Sequence, residues 1–99
     1  MGMENNTVEL TFDKKTPYLA GFDFGKATYE QQVSGRLDLT KDFVVTFPTT
    51  VEGAASSFVQ GLFNNMIEQI GITALEDRLT LQAKDEKTSN EIRRRIECP

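Results

Sequence analysis

Residues 43–71 read FVVTFPTTVEGAASSFVQGLFNNMIEQIG, and they carry the clearest structural pattern in the chain. Residues 43–47 form an almost continuous apolar run, which is typical of a strand covered on both faces. Pro48 ends the run because proline has no backbone N–H to donate to a sheet. Residues 55–70 then repeat apolar side chains at the helical period of 3.6 residues. We therefore predict a central strand, a short loop and an amphipathic helix.

The predicted helix at 55–70 has one broad apolar face that must pack on the rest of the protein. This face comprises Val59, Leu62, Phe63, Met66 and Ile70, with Phe58 and Ile67 on its flanks. Since strand 43–47 is also buried, we expect Phe47, Leu62, Phe63 and Met66 to form the core. A domain of this size needs such a core to be stable.

The opposite face of the predicted helix is unusual because it is almost uncharged. It comprises Ser57, Gln60, Gly61, Asn64 and Glu68, of which only the last carries a charge. Ser56 and Ser57 open the helix, where backbone N–H groups lack partners and the helix dipole favours negative charge. Taken locally, these serines are expected to cap the helix. The face as a whole is also a candidate surface for a protein partner.

Outside this stretch, the pattern predicts three further strands and two further helices. The strands are expected at 7–12, 16–20 and 78–83, and the helices at 23–34 and 86–97. The segment 21–25, which has a glycine at each end, is interpreted as a turn that leads into a helix. Asp23 is the expected N-cap of this helix, and Phe22, Tyr29 and Val33 share its apolar face. An alternative hairpin over 28–39, turning at Ser34-Gly35, stays open. Gly71 is expected to stop the main helix.

The resulting order, β-β-α-β-α-β-α, predicts an α/β fold with a mixed four-stranded sheet and about three helices. With 99 residues, the chain is expected to be a single domain over 1–99, with residues 1–6 disordered. The last predicted helix, at 86–97, is polar except for Ile92 and Ile96. Its run Arg93-Arg94-Arg95 is interpreted as a solvated face because acidic residues are interleaved nearby.

Composition argues against several classes of function. A net charge of −4 and a pI of about 4.8 disfavour a nucleic-acid backbone binder. The chain has no histidine and one cysteine, so the usual general bases and metal ligands are missing. We expect no enzyme activity, no cofactor and no metal. A mean hydropathy of −0.38 and the absence of a long apolar run predict no membrane span and a cytoplasmic location.

The central stretch resembles the STAS-like α/β family of unknown function, which is related to the STAS domain of anti-sigma factor antagonists. The resemblance is carried by VVTFP at 44–48 and ASSFVQGLF at 55–63, and it spans roughly residues 22–71. Antagonists of this type have an Asp-Ser-Ser-Gly motif whose first serine is phosphorylated by a kinase-like ATPase. Ser56 takes that place here, whereas Ala55 stands at the position of the Asp and Phe58 at that of the Gly.

The resemblance implies a small STAS-like sandwich and a non-catalytic, regulatory protein-binding module. Its expected partner is a kinase-like ATPase. The candidate residues for partner binding or phosphorylation are Ser56, Ser57, Gln60, Gly61 and Asn64. The alternative is a small acidic phage or mobile-element inhibitor that blocks a host protein through its negative surface. A homodimer is compatible with either function.

Overall fold

The computed structural model describes residues 6–97 and contains five short strands and three helices. The strands are β1 (Thr7–Glu9), β2 (Tyr18–Leu19), β3 (Phe43–Thr46), β4 (Gly53–Ala54) and β5 (Leu79–Gln82). The helices are α1 (Phe22–Thr28), which continues as a π-helical turn (Tyr29–Val33), α2 (Ser56–Arg78) and α3 (Glu86–Glu97). The chain is thus a small α/β domain, as predicted.

The strands form two parallel sheets, so the predicted single mixed sheet of four strands is wrong. The larger sheet has the order β1-β3-β5, with β3 in the centre as expected. The predicted second strand shrinks to Tyr18–Leu19 and pairs with β4, a strand that the sequence did not predict. Pro17 donates no hydrogen bond, but its carbonyl accepts the N–H of Glu52 at 2.7 Å. This contact helps to align β2 with β4 instead of β1.

The larger sheet is covered on only one face. Val8, Val45 and Leu81 stand side by side in register and are buried. The next rung, Glu9, Thr46 and Gln82, points to the other face, where Thr46 is half-buried and the other two are exposed. The prediction that β3 is covered on both faces is therefore wrong. The polar side chains of Glu9, Thr46 and Gln82 explain why this second face of the sheet tolerates contact with water.

The buried face of the sheet and the three helices share one hydrophobic core. Phe47, Leu62, Phe63 and Met66 are at most 1% exposed, which confirms the predicted core. Ile92 and Ile96 dock α3 onto the same core, also as predicted. Gly71 interrupts the helical conformation within α2, with φ 85° and ψ 159°, so the expected stop at this residue is confirmed. Residues beyond it resume a short helix that leads into β5.

The segment 22–33 is helical, so the alternative hairpin over 28–39 is wrong. α1 begins one residue earlier than predicted, with Gly21 at φ 108° as its N-cap instead of Asp23. Gly25 is consequently inside the helix and buried, although it was predicted to lie in a turn. Tyr29 and Val33 are buried as expected, but Phe22 is 42% exposed.

The start of the described chain is held by polar contacts. The predicted disorder of residues 1–6 falls mostly on residues 1–5, which lie outside the described residues. Asn6 donates its side-chain amide to the carbonyls of Asp38 and Asp42, both at 2.9 Å. Its side-chain oxygen also accepts the N–H of Asp38 at 2.8 Å. These contacts tie the start of β1 to the loop before β3.

Candidate functional site

The beginning of α2 is the site at which the sequence predicts function. Ala55 precedes the helix in an extended conformation, with φ −73° and ψ 158°, and no side chain caps the helix. The capping role predicted for the serines is therefore wrong. Ser56 and Ser57 follow as the first two helical residues, one half-buried and the other exposed. Both hydroxyls are instead engaged by other segments of the chain.

Ser57 connects α2 to the start of α1. Its Oγ accepts the backbone N–H of Gly21 at 2.9 Å, and Gly21 is the N-cap residue of α1. The N–H groups at the start of a helix have no partner within the helix, so an outside acceptor is stabilising. Ser57 therefore contributes to the packing of α1 on α2 while its side chain stays accessible to solvent.

Ser56 lies on the opposite side, next to α3. The guanidinium Nη1 of Arg95 is 3.5 Å from Ser56 Oγ, at the long end of hydrogen-bonding distance. Gln60, one turn further along α2, donates its side-chain amide to the carbonyl of Arg95 at 2.8 Å. These two contacts hold the last turn of α3 beside the first turns of α2. They also place a cation near the residue matched to the phosphorylated serine.

Gly61 does not lie on an accessible surface. It is buried, and its missing Cβ would point at the backbone of Phe22 and Lys26 in α1. Asn64 is half-buried, and its amide is 3.5 Å from the carboxylate of Glu68. The five predicted residues therefore do not form one open neutral face. α1 covers part of this face and α3 covers another part. The role of the serines in partner binding or phosphorylation stays a prediction.

Two residues of this region were missed because their significance depends on tertiary contacts. Arg95 was interpreted as part of a solvated face, but it is half-buried against α2. Arg93 was grouped with it, yet its guanidinium donates to the carbonyls of Leu79 at 2.8 Å and Glu76 at 2.6 Å. Only Arg94 is exposed as expected. The sequence signal was weak because three consecutive arginines point in three directions on a helix.

Within residues 6–97, no group of three or more acidic or cysteine side chains is arranged so that it could hold a metal ion. No helix in this part of the chain combines the length and apolar character needed to cross a membrane. Comparison of the chain with protein-family models, curated proteins and solved structures finds no match.

Proposed function

We propose that the chain is a non-catalytic protein-binding module whose partner is a kinase-like ATPase. In this proposal the fold is STAS-like, and phosphorylation at the start of α2 regulates binding. The observation that carries the proposal is the position of the Ser56 hydroxyl. It lies at a helix start that no side chain caps, 3.5 Å from the Arg95 guanidinium.

A phosphate on Ser56 would be stabilised by its surroundings. It would add about −1.5 to −2 charges at neutral pH, next to the positive end of the α2 dipole. The guanidinium of Arg95 is suited to bidentate contact with phosphate oxygens. The domain should therefore keep its fold when it is modified. The same dianion would have to be desolvated in a closely packed complex, so partner binding should weaken.

Ser57 is the second candidate for the same regulation. It is more exposed than Ser56, which favours access by a kinase, but its Oγ already accepts the N–H of Gly21. A phosphate at this position would alter the junction of α1 and α2. We therefore expect modification of Ser57 to affect stability more than modification of Ser56.

The experiment combines phosphorylation with binding. The purified chain is incubated with ATP and a kinase-like ATPase encoded by a neighbouring gene, and the modified residue is located by mass spectrometry. We expect phosphate on Ser56 and loss of labelling in Ser56→Ala. The control is Ser34→Ala, which alters an exposed serine outside α2 and should leave the labelling unchanged. Ser56→Asp should keep the melting temperature within a few degrees while it weakens the complex.

Two outcomes would contradict the proposal. One is a partner affinity that neither Ser56→Asp nor Ser57→Asp changes. The other is an affinity that collapses as salt is added, because that behaviour is expected of the alternative, an acidic inhibitor that binds through its net charge of −4. A complex centred on uncharged serines should depend only weakly on salt.

A further inference from the structure

A groove of about 410 Å³ lies beside α1, and neither Ser56 nor Ser57 is among its lining residues. Its walls come from the chain that follows β1 and from one side of α1. Phe12 and Phe24 supply the aromatic surface, and Asp13 supplies the one charged side chain among the lining residues. The remaining walls are threonine, alanine and glutamine side chains. The groove therefore combines an aromatic surface with a single negative charge.

The two aromatic rings form a corner. Their centroids are 5.9 Å apart and their planes are inclined by 80°, so they are nearly perpendicular. Both rings rest edge-on against Phe58, which is fully buried. Phe24 is nevertheless 40% exposed. Such rigid, supported and accessible rings are typical of sites that bind cations through the negative faces of aromatic groups.

The one charge among the residues that line the groove is negative, since Asp13 is a lining residue and the exposed Lys14 and Lys15 that follow it are not, and this favours a cation over a neutral apolar group. Asp13 accepts the backbone N–H of Lys15 through Oδ1 at 2.9 Å, which fixes the carboxylate. None of the lysines and arginines within residues 6–97 forms an ion pair with it, since the one such pair there joins Lys84 and Asp85. The carboxylate is thus oriented and has no charged partner. The net charge of −4 adds a long-range attraction for basic molecules.

We propose that this groove binds a lysine or arginine side chain presented by a protein partner. The cationic head lies between the rings of Phe12 and Phe24, and the carboxylate of Asp13 pairs with it. The exposed Gln31 provides a neutral hydrogen-bonding group for the partner backbone. This site is separate from the serines of α2, and the proposal does not rest on the function proposed above.

The test uses the full chain labelled with ¹⁵N and three short peptides that differ at one residue. The central residue is lysine, arginine or norleucine, the last being an uncharged analogue of the lysine stem. We expect the lysine and arginine peptides to shift the amide signals of Phe12, Asp13, Phe24 and Gln31. The norleucine peptide should cause much smaller shifts. Added salt should weaken the binding of the two basic peptides.

Variants separate this site from non-specific attraction. Asp13→Asn keeps the oxygen that accepts the Lys15 N–H, and should weaken binding about fivefold at low salt. Phe24→Leu should weaken it about two- to fivefold. The matched controls are Asp23→Asn and Phe22→Leu, which alter exposed residues that do not line the groove. Equal binding of the norleucine peptide, or equal effects of the controls, would overturn the proposal.

Discussion

Gly25 of α1 and Gly61 of α2 lie where the two helices cross, each against the backbone of the other helix. A Cβ at Gly25 would be 2.7 Å from the amide nitrogen of Leu62, and a Cβ at Gly61 would be 2.9 Å from the carbonyl carbon of Phe22. Both distances are shorter than real Cβ atoms adopt. The crossing therefore depends on the absence of a side chain on both helices.

This crossing predicts that Gly25→Ala and Gly61→Ala each destabilise the protein. Helix propensity alone would stabilise such variants by up to about 1 kcal/mol. The backbone clash should dominate and lower the free energy of unfolding by about 1 to 3 kcal/mol. Urea denaturation measures the change, with Glu68→Ala on the exposed side of α2 as the control. A gain in stability at both glycines would show that the helices separate without penalty.

The core prediction concerns Phe63, which is fully buried in the centre of α2. Phe63→Ala should lower the free energy of unfolding by about 3 to 5 kcal/mol, because it removes apolar burial and leaves a cavity. So small a domain should then be largely unfolded. Phe22→Ala is the matched control, since Phe22 is 42% exposed. Denaturation followed by circular dichroism should show a large decrease in the midpoint for Phe63→Ala and a small decrease for the control.

Arg93 is predicted to be a structural residue, unlike its neighbour Arg94. Its guanidinium donates to the carbonyls of Glu76 and Leu79, which joins α3 to the end of α2 and to the start of β5. Arg93→Lys retains the charge but cannot place two donors in that fixed geometry. We expect a loss of about 1 to 3 kcal/mol in unfolding free energy. Arg94→Lys at an exposed position should leave the denaturation midpoint unchanged; similar losses in both variants would contradict the assignment.

Asp85 should make stability depend on pH. Its carboxylate caps α3, with Oδ1 accepting the N–H of Thr88 at 2.8 Å. Hydrogen bonds from the side chain and backbone of Thr88 hold the pKa of Asp85 below its usual value, and Lys84 acts in the same direction. A carboxyl group with a lowered folded-state pKa stabilises the protein above its unfolded pKa. That contribution is lost as the pH falls through the folded value.

The measurement compares denaturation midpoints at neutral pH and near pH 3. Asp85→Asn preserves a capping side chain but removes the titration, so its midpoint should fall less on acidification than that of the unaltered chain. Asp38 also has a lowered pKa, caused mainly by the Thr40 side chain, and should contribute a second, independent part of the acid sensitivity. Identical acid sensitivity with and without the Asp85 carboxyl would exclude its role.

Local patterns in the sequence were enough to predict the central strand, the helices and the core of this protein, but not β4. The apolar run before Pro48 predicted the central strand, and the helical spacing around Phe63 predicted which face of α2 is buried. Gly71 ended the first part of α2 as expected. These predictions succeed because periodic burial and the backbone preferences of glycine and proline act over a few residues.

How the elements pack against one another depends on the tertiary structure. It separated β2 from β1 and paired it with β4, and it buried Gly61 against α1. It also distributed the serines of α2 between contacts with Gly21 and Arg95. A one-dimensional pattern places residues on a face of their own helix or strand, but it does not encode which segments cover that face. Strand pairing and helix crossing depend on contacts between residues far apart in the chain, and those contacts determined which predicted site residues remained accessible.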